Sequence, residues 1–241
     1  STVRTSERRQ LKQDRFAQTT GEIISEAVAH SRSVIITAIL AAIVLALALG
    51  SGWYWNYRNQ QANLALGKAM DSYNAPLRPP DTPAPEDTTT PSFTSALERA
   101  RSAHQQFQQI AAQYGFTKSG QAARYMAALT AIDMGDSKAG EGELKQVADS
   151  RNHDIASLAK LALAGVYSNS NRFKEALPLY QYLVSHPTDS VSKEMAELEL
   201  ASLYVASNQS GDATKLYNQL IKDNPKGAAA SIAQQRLQAM K

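Results

Sequence analysis

One uncharged apolar run near the N-terminus constrains this chain more than any other feature. It extends from Val34 to Trp53, and no charged residue lies between Arg32 and Arg58. Twenty residues in an α-helix span roughly 30 Å, which is the thickness of a bilayer's hydrocarbon core. A helix also satisfies its own backbone hydrogen bonds, as lipid requires. The run therefore predicts a transmembrane helix over 34–57, and a buried helix of a soluble domain is the less favoured alternative.

The flanks of this run predict how the chain is oriented. The aromatic cluster at its end suits the headgroup boundary of a bilayer and consists of Trp53, Tyr54, Trp55 and Tyr57. The tail, residues 1–33, carries six Lys or Arg and four acids, and it is either disordered or contains a short helix on the membrane surface. A short basic tail, one span and a long C-terminal part form the arrangement of an uncleaved signal anchor. We therefore expect a cytoplasmic tail and residues 58–241 outside the cytoplasm.

Small residues recur every four positions within the predicted span. They are Ala38, Ala42, Ala46 and Gly50. Such a stripe lets the backbone of a second membrane helix approach closely. The stripe is a candidate packing surface for a membrane partner, and ordinary alanine enrichment is the alternative.

Composition and spacing exclude several kinds of site. The chain has no cysteine, so disulfides and thiolate metal sites are excluded. From residue 92 onward there are 16 Lys or Arg against 14 Asp or Glu, a balance that gives no basic footprint for nucleic acid. The four histidines lie far apart, and no nucleophile elbow or Walker-type motif occurs. We predict no enzyme activity, no metal, no cofactor and no nucleic-acid partner.

Beyond the span, the pattern is helical with one interruption. Residues 58–75 predict a juxtamembrane helix because their apolar positions follow the helical period. Residues 76–91 contain six prolines and predict an extended, semi-stiff linker. Residues 92–241 show turn signals between about eight helical segments and no strand-like alternation. The fold class is therefore all-α, and we expect 92–241 to fold alone as a helical monomer.

The helical segments repeat. Large side chains recur 37, 36 and 37 residues apart at Phe107, Leu144, Tyr180 and Tyr217. Small residues stand four positions before each of them, at Ala103, Gly140, Ala176 and Ala213. A small residue lets a neighbouring helix approach, and the large one fills the gap beside it. A non-repeating helical bundle is the disfavoured alternative.

Two full units, 161–187 and 198–225, resemble the tetratricopeptide repeat. Each contains Leu-Ala-x-x-Tyr, a polar turn, Ala-x-x-x-Tyr-x-x-Leu and then Pro. An earlier unit at 121–154 is weaker, since it lacks the first aromatic and the closing proline. The resemblance implies an α-solenoid in which the first helix of every unit lines an inner groove.

By register, the predicted groove has an apolar lining. Its residues are Tyr125, Leu129, Ile132, Leu158, Leu161, Gly165, Met195, Leu198, Ser202 and Val205. An apolar lining suits a helix or an exposed hydrophobic stretch of a protein client. The alternative is that the chain's own helix at Ser231–Met240, or the one at Ser95–Tyr114, covers these positions.

The whole arrangement is similar to the YfgM-like family of ancillary subunits of the SecYEG translocon. The resemblance is carried by Gly52–Trp55, the helix Ala62–Tyr73, Phe107, Tyr114 and the stretch Ala122–Leu144. It implies a single-pass protein of the bacterial inner membrane with a periplasmic domain that binds exported clients or chaperones beside the translocon. The Pro-rich segment and the long basic tail depart from that family. A structural accessory subunit of another inner-membrane complex is the alternative function.

Overall fold

The computed structural model describes residues 3–83 and 91–240, and helices account for most of them. Over these ranges there are nine α-helices and no strand, so the all-α prediction is confirmed. The middle of the predicted Pro-rich linker, residues 84–90, lies outside the described residues. The helices are α1 (Val3–Tyr73), α2 (Ala96–Tyr114), α3 (Lys118–Asp133), α4 (Ser137–Ala148), α5 (His153–Asn169), α6 (Phe173–Ser185), α7 (Lys193–Ala206), α8 (Ser210–Asp223) and α9 (Ala228–Ala239).

Helix α1 contains the apolar run. Among the described helices it is the one that is long and apolar enough to cross a membrane, by length and composition. Its large side chains are roughly half to two-thirds exposed, from Ile35 at 56% to Leu49 at 67%. The run is therefore not a core helix buried by the rest of this chain. At its end the rings of Trp53 and Tyr57 stack with their centroids 6.1 Å apart.

The chain divides into two compact units after Tyr57. The first unit, Ser1–Tyr57, contains the apolar run, and the second, Arg58–Lys241, contains the helical array. The last turns of α1 belong to the second unit, because Ala62 and Ala69 are fully buried there. The predicted repeat domain begins at residue 92, whereas the packed unit begins at Arg58.

Helices α2 to α9 form a continuous array in which each helix packs against the next one along the chain. The alternate helices α3, α5, α7 and α9 also lie beside one another. This is the arrangement of an α-solenoid, in which each repeat contacts only its neighbours.

The turns inside the repeats share one unusual backbone conformation. Gly135, Asn171 and Asn208 have φ angles of 88°, 58° and 60°, in the left-handed region. They lie 36 and 37 residues apart, which is the period of the repeat. Glycine and asparagine tolerate this region better than other residues do. These residues therefore make the same sharp turn from the first to the second helix in three successive units.

Three core clusters hold the array together, and each combines the predicted small and large residues. The N-terminal cluster includes Ala69, Ala103 and Phe107. The central cluster contains Ala128, Leu144, Ala164, Ala176 and Tyr180. The C-terminal cluster contains Ala201, Ala213 and Tyr217. Tyr217, Phe107 and Leu144 are among the largest fully buried side chains, which confirms the repeat register.

The first repeat unit uses the end of α1 as its first helix. The Tyr73 ring meets the edge of Phe107 with centroids 6.3 Å apart, and the Tyr73 hydroxyl donates a hydrogen bond of 3.0 Å to Asp133. Twelve residues separate Ala128 from Gly140, as they separate Ala164 from Ala176 and Ala201 from Ala213. In the first unit, 34 residues separate Ala69 from Ala103. The Pro-rich segment is therefore an insertion of 22 residues between two packed helices.

The two ends of this insertion are paired with each other. The Arg78 N–H donates to the Phe93 carbonyl at 2.8 Å, and the Phe93 N–H donates to the Pro76 carbonyl at 3.3 Å. Leu77 and Phe93 form an isolated parallel β-bridge, and the Phe93 side chain is buried. The Arg99 guanidinium donates to the Ala75 carbonyl at 3.0 Å. The insertion thus leaves and rejoins the array at one place.

Candidate protein-binding cleft

The predicted groove residues lie on α3, α5 and α7, which are the first helices of successive units. Five of them are half-buried and pack against the central core cluster, namely Tyr125, Leu129, Ile132, Leu158 and Leu161. Ile132 lies against Gly140 of the following helix, where a Cβ atom would have no room. These five side chains therefore contribute to the core and offer only part of their surface to a ligand.

The groove residues of α7 differ among themselves. Leu198 is buried in the C-terminal core cluster together with Ala233 of α9. The predicted alternative, a groove covered by the C-terminal helix, therefore describes Leu198. Met195 is 45% exposed and Val205 is 37% exposed. The open part of the predicted groove is thus centred on α7.

Met195 lies in a cleft between the N-terminal half of α7, the end of α8 and α9. The cleft has a volume of about 550 Å³. Its apolar lining includes Met195, Leu198, Leu220, Ala229 and Ile232. Ile232 is 40% exposed on the α9 side, opposite Met195 on α7. The two walls therefore present one accessible apolar side chain each.

The rim of the cleft is predominantly acidic. Its charged residues are Lys193, Glu194, Glu197, Glu199, Asp223 and Arg236, four acids and two cations. The cations have partners within the chain: Lys193 lies 3.4 Å from the Glu197 carboxylate, and Arg236 donates a hydrogen bond to the Ser202 hydroxyl. The cleft therefore combines an apolar floor with an excess of negative charge.

Glu194 keeps its negative charge well below neutral pH. Its carboxylate accepts hydrogen bonds from its own backbone N–H and from the Ser192 hydroxyl, and these bonds hold its pKa below the usual range. The Ser192 hydroxyl also accepts from the Met195 N–H at 3.2 Å and so caps the start of α7. The same capping turn thus positions both the apolar side chain and the acidic one.

The small residues of the predicted membrane stripe are exposed in the first unit. Ala38, Ala42, Ala46 and Gly50 all lie on the surface of α1. No atom lies within 4 Å of the place where a Cβ of Gly50 would be. Close packing of this stripe against a partner helix stays a prediction.

A comparison with protein families matches almost the entire chain. Residues 33–241 match the tetratricopeptide repeat-like domain. The chain belongs to this family. The match includes the apolar run and the last turns of α1 as well as α2–α9. The tetratricopeptide part of the sequence resemblance is therefore confirmed, and its finer assignment to the YfgM-like translocon subunits stays a hypothesis.

The chain is similar to parts of two crystal structures. Both contain nearly identical TPR-like repeats of a putative kinesin light chain from Podosopora anserina, and one of them carries a single substitution. Each is 19% identical to this chain, with a TM-score of 0.48 over 57% of it. The matches cover 74% and 75% of those chains. No curated protein matches the sequence.

Over residues 3–83 and 91–240, no group of three or more His, Asp or Glu side chains could hold a metal ion. Tetratricopeptide-like folds typically act as scaffolds for protein interactions, and a cleft with apolar and acidic walls fits that role.

Sequence reasoning missed the α9 wall of the cleft. Ile232 and Arg236 line it, yet the sequence pattern presents α9 only as a possible cover. The constant spacing between the first helices of successive units could have revealed it, since α9 follows α7 as α7 follows α5. Extending that spacing by one unit places further groove residues on α9.

Proposed function

We propose that this chain is a membrane-anchored protein–protein interaction scaffold at the outer face of the bacterial inner membrane. We propose further that it binds exported clients or chaperones beside the Sec translocon. One observation carries the proposal: an open cleft on a tetratricopeptide-like array that follows, in the same chain, a helix able to cross a membrane. Such repeats generally mediate protein–protein interactions.

The orientation is supported by the positive charges that precede the apolar run. Residues 1–33 contain six Lys or Arg, and the second unit follows the run. A basic tail stays in the cytoplasm more readily than an acidic or neutral one. The array would then occupy the periplasm.

The cleft suits a particular kind of ligand. Its walls expose Met195 and Ile232, which can receive apolar side chains spaced one helical turn apart. Methionine adapts its shape to different apolar partners. The acidic excess of the rim attracts Lys and Arg and repels acidic tails. The expected ligand is an amphipathic segment with an apolar face flanked by cations.

Native co-purification tests the proposed partner. The full chain would be extracted from bacterial membranes in mild detergent and isolated with its bound proteins, which mass spectrometry identifies. Enrichment of translocon subunits or periplasmic chaperones supports the proposal. Stoichiometric recovery of a different membrane complex would instead favour the structural accessory subunit and refute the translocon assignment.

A cleft variant tests whether binding uses this site. Met195→Glu together with Ile232→Glu places two more charges at exposed positions, so the fold should persist. A matched control is Leu97→Glu on α2, where the side chain is 46% exposed and outside the cleft. Only the cleft variant should lose the co-purified partner, while both keep the parent melting temperature. Full retention of the partner by the cleft variant would show that the cleft is not the binding site.

A further inference from the structure

The turn between α2 and α3 displays an aromatic ring in solvent. Phe116 is 89% exposed, more than any other large apolar side chain of the described residues. Its neighbours behave differently, since Thr117 is buried and Tyr114 is half-buried. A ring in this position contributes almost nothing to the core of the array.

Hydrogen bonds and close packing fix the backbone of this turn. The Thr117 hydroxyl donates to the Tyr114 carbonyl at 2.8 Å and accepts from the Gly120 N–H at 3.0 Å. Gly120 lies so close to the Tyr114 carbonyl that a Cβ would not fit. The turn therefore holds the Phe116 ring outward as a fixed feature of the surface.

Hydrogen bonds and a cation–π contact connect the same turn to the first residues of the second unit. The Arg58 guanidinium donates a hydrogen bond to the Gln113 carbonyl and lies 4.8 Å from the centre of the Tyr114 ring. One turn further along α1, Asn63 accepts a hydrogen bond from the Ser119 hydroxyl. Phe116 is thus held at the end of the second unit where that unit begins.

The chain itself places this end near the predicted bilayer boundary. Arg58 directly follows Tyr57, the last residue of the aromatic cluster suited to lipid headgroups. At about 1.5 Å of rise per helical residue, Arg58 is at most about 8 Å along the helix from Trp53. A turn bonded to Arg58 is therefore within reach of the headgroup layer if α1 crosses the membrane.

The charges around Phe116 are of one sign. Lys118 and Arg124 are exposed beside it, and the Arg124 guanidinium lies next to Gly115. The sequence has no Asp or Glu from 58 to 70 or from 100 to 132. In the second unit, the acids of these three helices are Asp71, Glu98 and Asp133, and they lie at the other end, where the Tyr73 hydroxyl donates a hydrogen bond to Asp133. An exposed ring between cations is the surface chemistry that anionic lipid headgroups attract.

We propose that the α2–α3 turn is a second membrane contact of this protein. Phe116 inserts among the headgroups of an anionic bilayer, and Lys118 and Arg124 bind the lipid phosphates. The proposal rests on the proposed membrane anchor, because the anchor brings the turn to the lipid. The turn then adds a reversible attachment for the repeat unit.

A fluorescence experiment on the full chain tests this contact. The chain has no cysteine, so Phe116→Cys creates a single site for an environment-sensitive dye. The matched control is Asp189→Cys, an exposed position in the turn between α6 and α7. Both labelled proteins would be reconstituted into vesicles of phosphatidylcholine with phosphatidylglycerol, including a lipid with a nitroxide near the headgroup end of its acyl chain.

We expect blue-shifted emission and nitroxide quenching at position 116 and neither at 189. Neutralising Lys118 and Arg124 to Gln should reduce the bound-to-unbound ratio of the turn by about fivefold per charge. Equal quenching at 116 and 189, or none at 116, overturns the proposal. Failure of the anchor is recognised separately, because the protein would then not float with the vesicles in a density gradient.

A second measurement keeps the phenylalanine in place. The dye is attached at Gln113→Cys, an exposed position in the last turn of α2, just before Phe116, with either Phe116 or Phe116→Ala in the chain. Quenching that falls when Phe116 is replaced by alanine supports insertion of the ring. Unchanged quenching would show that the dye is near lipid through the anchor alone, and would refute a role for Phe116.

Discussion

Two glycines on α4 allow the repeat packing to be tested with a matched pair of variants. Gly140 is the small residue of its repeat and is buried, whereas Gly142 on the same helix is exposed. A Cβ at position 140 would lie 2.9 Å from the Ala128 carbonyl oxygen and would overlap the Ile132 side chain. A Cβ at position 142 would meet no atom within 4 Å. Gly140→Ala and Gly142→Ala therefore differ mainly in this clash.

The expected difference follows from two opposing effects. Alanine in a helix is more favourable than glycine by about 1 kcal/mol, and both variants gain this. Forcing a methyl group into a packed site costs about 1–3 kcal/mol, and one of the two neighbours at position 140 is the Ala128 backbone carbonyl, which cannot change rotamer as the Ile132 side chain can. The gain cancels in the comparison, so Gly140→Ala should have a free energy of unfolding about 1–3 kcal/mol below that of Gly142→Ala.

Thermal unfolding of the full chain in detergent, followed by circular dichroism, measures this difference. For a chain of this size it corresponds to a melting temperature roughly 2–12 °C lower for Gly140→Ala than for Gly142→Ala. Gly142→Ala should melt at or above the parent temperature. Equal melting temperatures for the two variants would refute close approach of α3 and α4 at Gly140, and with it the role assigned to the small residue of each repeat.

Three further outcomes are expected in the same assay. Ala176→Leu, at a fully buried position, should lower the free energy of unfolding by about 1–3 kcal/mol, and an unchanged melting temperature would contradict the register. A fragment of residues 92–241 should remain helical but melt below one of 58–241, because it lacks the α1 turns that cover α2; equal melting would contradict that packing. Hydrogen bonds from Arg172 and Lys145 lower the pKa of Glu141 to about 2, so their stabilisation is complete above the unfolded pKa of about 4.3 and lost as pH falls toward 2. Over that pH window the melting temperature of Arg172→Met should therefore fall less than that of the parent chain. An identical pH profile for the two proteins would contradict the role of the Arg172–Glu141 pair.

The repeat was predictable because its signals are local. A small residue followed by a large one four positions later recurs in the sequence, and both are buried in the cores of α2, α4, α6 and α8. Turn residues such as Asn171 mark the helix ends without knowledge of the fold. The first helix of the first unit was not recognised, because the 22-residue insertion separates Ala69 from Ala103 and breaks the period.

The cleft could be predicted only in part, because exposure in an array depends on the next unit. Leu198 and Met195 lie three positions apart on α7, yet α9 buries the first and leaves the second accessible. Periodicity places both on the inner face and cannot tell which one the following helix covers. Phe116 is a similar case, since a single ring in a turn has no pattern, and its setting emerges only from the bond between Arg58 and Gln113.

The paired ends of the Pro-rich insertion have a consequence for how the chain can change. Pro76 and Phe93 are joined by a backbone hydrogen bond, so the stretch between them begins and ends at one place. The length of this stretch can therefore change without moving the helices on either side. Doubling the length of a flexible loop costs only about 0.6 kcal/mol in closure entropy. The insertion is therefore a site where a fluorescent protein or an affinity tag could be inserted without changing the register of the repeats. Evolution could add a new module at the same site.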